Sequence, residues 1–358
     1  MFGKEGGIMD NKKILEQMTL EEKASLCSGA NFWNLKSIER LGLNTIMMTD
    51  GPHGLRKQLG SGDHLGINDS VKSTCFPTAS ASASSFDREL LHQMGEAIAE
   101  ECLQEDVSVV LGPGANIKRS PLCGRNFEYI SEDPYVTGEI ATALIQGIQS
   151  KGIGTSLKHF ALNNQEYLRM VSDSQVDERA MREIYLTGFE TAVTKAQPFT
   201  VMAAYNRLNG IYASESKYLL TDILRDEWGF EGLVVTDWGA IDDCVAGVKA
   251  GLDLEMPATD GYNAELIVAA VKEGKLKEED LNKAVLRVIN LITRTQDKRG
   301  TGFQYNQEGH HQLAKKVAVE SAVLLKNEDD ILPIDKKTKV AVIGQFAKTP
   351  RYQGAGEQ

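Results

Sequence analysis

What most restricts this chain is a repeating order of short apolar run, polar loop and amphipathic stretch. Apolar runs occur at 43–50 (LNTIMMTD), 107–112 (VSVVLG), 155–160 (TSLKHF), 200–206 (TVMAAYN), 233–240 (LVVTDWGA) and 251–257 (GLDLEMP). Helical periodicity fills the stretches 87–102, 139–149, 177–196, 216–228, 263–273 and 279–294. Strand alternating with helix over about 290 residues predicts a parallel sheet with helices outside. The size suits a (β/α)8 TIM-type barrel over residues 1–296 better than a doubly wound sheet. Six strands are clear, and Phe76 to Phe86 offers a seventh. The eighth is not evident, so the expectation is an irregular barrel. Caps are written into the sequence as well. Thr19 with Glu22 three residues on reads as a capping box, and Asp177 as an N-cap.

Residues 297–310 (DKRGTGFQYNQEGH) have the composition of a linker. A helix over about 311–321 and the runs VLLKN, ILPI and KVAVIG follow. These read as the incomplete start of an α/β sandwich domain over 311–358. Lone strands expose unpaired edges, so a partner chain, a homo-oligomer contact or a poorly ordered tail is expected there.

Of the 358 residues, 42% are hydrophobic and 25% charged, which permits a sizeable soluble core. The formal charge of -11 argues against nucleic acid or an anionic membrane as a partner, and is compatible with a neutral ligand such as a sugar. The five cysteines (27, 75, 102, 123 and 244) include no C-x-x-C pair and do not cluster with the histidines. They read as reduced thiols of a cytoplasmic protein, with no metal site. The opening MFGKEGGIMDNKK has no apolar core of a secretory signal, and no run is long enough for a membrane helix. GxSxG, HExxH, GxxxxGK and a complete GxGxxG are absent, so no cofactor is expected.

Chemistry concentrates where strands end. Asp50, the pair Lys158–His159, Tyr205 and Asp237 follow apolar runs, and Arg125, Glu166 and Arg169 stand in the loops beyond them. Each has a plain structural explanation. Asp237 suits an N-cap for the next helix, Asp50 a turn before Gly51–Pro52, and His159 a satisfied core histidine. In a barrel, however, all of them should face one rim, and that rim is where active sites are built. Asp, Arg, Lys and His together suit a polyhydroxyl ligand that needs both donors and acceptors. Asp237 fits a nucleophile on a sugar carbon, with Trp238 as an apolar wall and Arg125 and Lys158 holding the carboxylate ionised. Lys158 also raises a Schiff-base aldolase as a rival, which would need that lysine buried and unpaired.

Taken in order, MTLEEK, TDGPHGLR, KHF with NNQE and R after it, VMAAYN, VVTDWGA, GLDLEMP and SAVLLKNEDDILPI resemble glycoside hydrolase family 3, its β-glucosidase branch. The resemblance runs over nearly the whole chain. It implies a retaining hydrolase cleaving terminal β-D-glucosyl or related residues through a covalent intermediate on Asp237. It also implies that Asp50, Arg125, Lys158 and His159 bind the sugar beside Trp238, with Arg169 and Tyr205 as less firm matches. KHF is followed here by ALNNQE rather than a KHFPGHGD-like loop, which sets aside the N-acetylglucosaminidase branch. The acid/base glutamate of the β-glucosidase branch comes from the second domain, and Glu357 matches no motif for it. A sugar-binding or assembly module without efficient turnover therefore stands as the alternative.

Overall fold

A computed structural model describes residues 11–60, 62 and 69–350. The first ten residues, most of the tip of the 56–73 loop, and the tail with Glu357 lie outside the described residues. The strands among the described residues are β1 (Met48–Thr49), β2 (Val109–Val110), β3 (Gly154–Phe160), β4 (Asp173–Ser174), β5 (Thr200–Ala203), β6 (Arg207–Leu208), β7 (Ile211–Tyr212) and β8 (Leu233–Thr236). β1, β2, β3, β5 and β8 form one parallel sheet in that order, every residue of it buried. Burial on both faces explains why these strands read as continuous apolar runs rather than alternating ones.

Single bridges complete the ring. Val235 pairs with Leu254, Glu255 with Ser28, Gly29 with Leu35, and Asn34 with Met47, beside β1. Hydrogen bonds follow the same path, with Glu255 N donating to Cys27 O at 2.9 Å, Ala30 N to Asn34 O at 2.7 Å, and Met48 N to Trp33 O at 2.9 Å. The two missing barrel segments are therefore Ser28–Gly29 and Asn34–Leu35, a tight pair whose second member runs antiparallel to its neighbours. The seventh strand expected at Phe76–Phe86 is instead helical, with Ala79–Ser82 and a 3-10 turn at Ala83–Ser85. Its ASASASS run has no β-branched residue to favour a strand.

The outer helices begin where their caps dictate. Asp87, Asp133, Asp177 and Asp243 each accept backbone N–H bonds at the start of a helix, and Pro134 occupies a first position that needs no donor. Thr19 and Glu22 form the reciprocal capping box. Helices Arg88–Gln104, Pro134–Ser150, Thr187–Ala196 and Tyr218–Glu227 pack one side of the sheet's core. Leu20–Leu26, Tyr262–Lys272 and Glu278–Thr295 pack the other. On the rim, β4 and the β6–β7 hairpin form a small separate sheet. Asn209 and Gly210, both at positive φ, make the hairpin's two-residue turn, a pairing suited to that backbone.

Helix Gln307–Glu320 starts within the glycine-bearing 297–310 stretch, capped by Asn306, and lays Ala314 and Val317 into the core under Arg88–Gln104. Residues 322–350 contain no strand, and Leu325 and Ile343 are each 90% exposed. Apolar runs such as these hold strand geometry only against another strand.

Candidate active site

Asp237 lies one residue past β8, where its N–H still bonds Ala203 O at 2.9 Å, so the ladder delivers it to the barrel mouth. It does not cap the next helix, because Asp243 does. Its Oδ1 accepts the N–H of Trp238 at 2.8 Å. Its Oδ2 is buried and accepts no hydrogen bond, with His159 Nε2 3.6 Å away. An unsatisfied buried carboxylate oxygen is costly in a folded protein. Burial raises the Asp237 pKa above the usual carboxylate value, while Arg125, Lys158, the Trp238 amide and Arg169 pull it down. The cations assigned to keep it ionised are present, but in this state desolvation outweighs them.

The other predicted residues converge from neighbouring strands. Lys158 and His159 come from β3, and Asp50 follows β1. Lys158 is 1% exposed, with Nζ 2.9 Å from Glu128 Oε1 and 4.0 Å from Asp50 Oδ1. A paired ammonium of this kind does not fit Schiff-base chemistry. Nε and Nη2 of Arg125 each lie 2.7 Å from Oε2 of the fully buried Glu128. Glu128 thus sits between the two cations that face the mouth. Asp50 is held by Arg56 Nη1 at 3.1 Å, within the tight GPHGLR turn. Gly51 is required there, since at φ 128° a side chain would run into the Gly54 carbonyl.

Arg169 lies 4.5 Å from the centroid of the Tyr205 ring and 2.9 Å from Glu166 Oε2. The Tyr205 hydroxyl donates to Trp238 O at 2.8 Å. The indole of Trp238 donates to Phe32 O at 2.8 Å, and its ring lies 5.4 Å from that of Trp33. Trp33 in turn donates to Gln58 Oε1 at 3.0 Å, tying the wall to the 56–73 loop.

All nine residues singled out from the sequence therefore belong to one contact network. Arg56, Glu128 and Tyr129 join it without having been assigned a role, as do Asn163 and Trp33. Arg56 and Asn163 stand inside the segments GPHGLR and NNQE, and Glu128–Tyr129 lies three and four residues past Arg125, so proximity to a residue or segment already singled out was the available signal. Trp33 had none. Among the described residues no three His, Cys, Asp or Glu side chains gather as a metal site requires.

A barrel mouth lined by four cations and four carboxylates, with an aromatic wall and one carboxylate oxygen left unbonded, can bind a hydroxylated ring and attack it. The glycosyl hydrolase family 3 N terminal domain matches residues 13–291. The chain is 58% identical over 348 residues to thermostable beta-glucosidase B of Acetivibrio thermocellus, covering 97% of this chain and 46% of that protein. It is 50% identical over 353 residues to an exo-alpha-(1->6)-L-arabinopyranosidase of Bifidobacterium breve, covering 96% and 46%. The solved structure of a Bifidobacterium adolescentis GH3 beta-glucosidase superposes with a TM-score of 0.90 at 50% identity, over 95% of this chain and 49% of that one. Beta-glucosidase 3B of Thermotoga neapolitana in complex with glucose does so at 0.84 and 41%, over 89% and 48%. The chain spans about half the length of these relatives, and its barrel is the TIM-like barrel of their shared N-terminal domain. With that domain matching residues 13–291, most of its length, this chain belongs to glycosyl hydrolase family 3.

Proposed function

We propose that this chain is the sugar-binding, nucleophile-bearing barrel of a retaining glycoside hydrolase of β-glucosidase type. The carrying observation is the buried Oδ2 of Asp237, which accepts no hydrogen bond at the barrel mouth. In this reading Oδ2 attacks the anomeric carbon while the glycosidic C–O bond breaks, leaving a glycosyl ester on Asp237. Water then attacks the same carbon and releases the sugar with its configuration retained. Asp50, Arg125, Lys158, His159, Arg169 and Tyr205 hold the ring in place, and Trp238 forms its apolar wall. The relatives' names support a terminal β-D-glucosyl unit or a related pyranosyl unit as the substrate.

The leaving oxygen needs a proton, and the carboxylates gathered here are poorly placed to give one. Asp50 is bound by Arg56, Glu128 by Arg125 and Lys158, and Glu166 by Arg169. The resemblance to the β-glucosidase branch supports an acid/base from outside this network, on a second domain. The same reading takes residues 311–358 as the first elements of an α/β sandwich domain.

The test is a mass spectrum after exposure to an activated 2-fluoroglycoside, followed by peptide mapping. A glycosyl adduct on Asp237 is expected, and none should form on Asp237→Ala. An aryl β-glucoside with a good leaving group should be turned over by the parent chain and not by that variant. Equal turnover by both would refute the assignment.

A further inference from the structure

Resting on the reading of Asp237 as nucleophile, we infer that Glu166, Asn163 and Tyr129 form a relay that fixes the tautomer of His159. The relay places the imidazole proton on Nε2, so that His159 faces Asp237 and the sugar as a donor only.

Hydrogen-bond directions carry the argument. Asn163 Nδ2 lies 3.1 Å from Glu166 Oε1 and 3.0 Å from the hydroxyl oxygen of Tyr129. A carboxylate has no proton to give, so the amide must turn its NH2 toward Glu166. Its second hydrogen then points at Tyr129, whose oxygen accepts it. The phenol's own hydrogen is left for Nδ1 of His159, 3.1 Å away. An Nδ1 that accepts must be bare, so the single proton of a neutral imidazole sits on Nε2. Nε2 is the atom that stands 3.6 Å from Asp237 Oδ2.

The surroundings keep the relay in one state. Tyr129 and His159 are buried, and their rings meet edge to face at 6.0 Å between centroids. Burial, reinforced by Arg125, Lys158 and Arg169, drives the His159 pKa well below its ordinary value, so the ring is neutral near pH 7. Burial raises the Tyr129 pKa, so its hydroxyl keeps its proton. Arg169 Nη1 holds Glu166 from the far side at 2.9 Å. Asn116 fixes the His159 backbone, accepting its N–H at 2.8 Å and donating to its carbonyl at 2.9 Å. The opposite tautomer would aim the Nε2 lone pair at the Asp237 carboxylate, two acceptors face to face. Tyr129, Asn163 and Glu166 are thus positioning residues that act on the site through His159.

The experiment is a long-range proton–nitrogen NMR correlation on protein labelled with 15N-histidine. The chain has six histidines, and loss of a signal in His159→Gln makes the assignment. A protonated Nε2 and a bare Nδ1 are expected for His159 at neutral pH. In Tyr129→Phe, where only the Asp237 carboxylate still favours Nε2–H, the two nitrogen shifts should move toward each other as the second tautomer gains population. Asn163→Asp replaces the donor to the phenol with an acceptor from it, and should move the proton to Nδ1. A parent protein with its proton on Nδ1 overturns the inference. So does either variant that retains Nε2–H alone, and if one of them fails to fold the other decides. The adduct on Asp237 is read separately: a labelled Asp237 beside the wrong His159 tautomer sinks the relay and leaves the nucleophile standing.

Discussion

Glu128 Oε1 lies 2.9 Å from Lys158 Nζ, and neither side chain is more than 1% exposed. With Arg125 on its other oxygen, Glu128 pairs with two cations that would otherwise stand buried beside one another at the barrel mouth. Glu128→Gln should destabilise the protein by about 3–5 kcal/mol, the usual cost of stranding a buried charge. Urea denaturation at pH 7 checks it, and a loss below about 1 kcal/mol would show that water already screens the pair.

The raised pKa of Asp237 means that its ionised form is held at a cost. A group whose folded pKa exceeds its unfolded one stabilises fully only below the unfolded value, and that contribution is lost as pH rises through the folded value. Asp237→Asn keeps an oxygen for the Trp238 amide and discards the charge. It should therefore be more stable than the parent at pH 7, with the difference closing on acidification through the carboxylate range. Thermal melts across that range test the sign, and an Asn variant less stable than the parent at pH 7 would contradict it.

His310 ties helix Gln307–Glu320 to the barrel, with Nδ1 2.9 Å from Glu101 Oε1 and Nε2 3.1 Å from Glu100 Oε2. Tyr305 stacks on its ring, and Lys151 meets Glu100 from helix Pro134–Ser150's end at 3.0 Å. Burial acts to lower the His310 pKa, but hydrogen bonds and charge from the two carboxylates raise it overall. The stabilisation is full below the unfolded imidazole value of about 6.5 and fades as pH rises through the raised folded value. Amides of 307–320 should exchange faster at about pH 8.5 than at about pH 6 after correction for intrinsic rates. His310→Ala should abolish that difference and cost about 2 kcal/mol.

Helices Arg88–Gln104 and Pro134–Ser150 approach through two glycines. A Cβ on Gly95 would lie 2.7 Å from Leu144 O, and one on Gly147 would run into His92 O. Both obstacles are backbone, which cannot step aside as a side chain can. Gly147→Ala should destabilise by about 1–3 kcal/mol through overpacking, despite alanine's better helix propensity. A variant melting at or above the parent temperature would show that the helices can slide apart freely.

Much of the molecule was legible in local pattern. Apolar runs marked β2, β3, β5 and β8, Thr19 with Glu22 and Asp177 marked two helix starts, and strand-end chemistry marked Asp50, Lys158, His159, Tyr205 and Asp237. These signals are local because burial on both faces, a capping bond and the step from core to rim each act within a few residues. What the sequence by itself determined was therefore the order of the elements and the residues delivered to the mouth.

Tertiary structure decided the rest. The ring closes through Ser28–Gly29 and Asn34–Leu35, pairs too short to show any periodicity, and one of them runs backwards. Whether Asp237 would cap a helix or leave its Oδ2 free at the mouth depended on Asp243 taking the cap and on His159 approaching from another strand. The direction of every proton between Glu166 and His159 depends on side chains that meet only once the barrel has closed. Hydrogen bonds and desolvation act over a few ångströms of space, whatever the distance along the chain, so no window of sequence contains them.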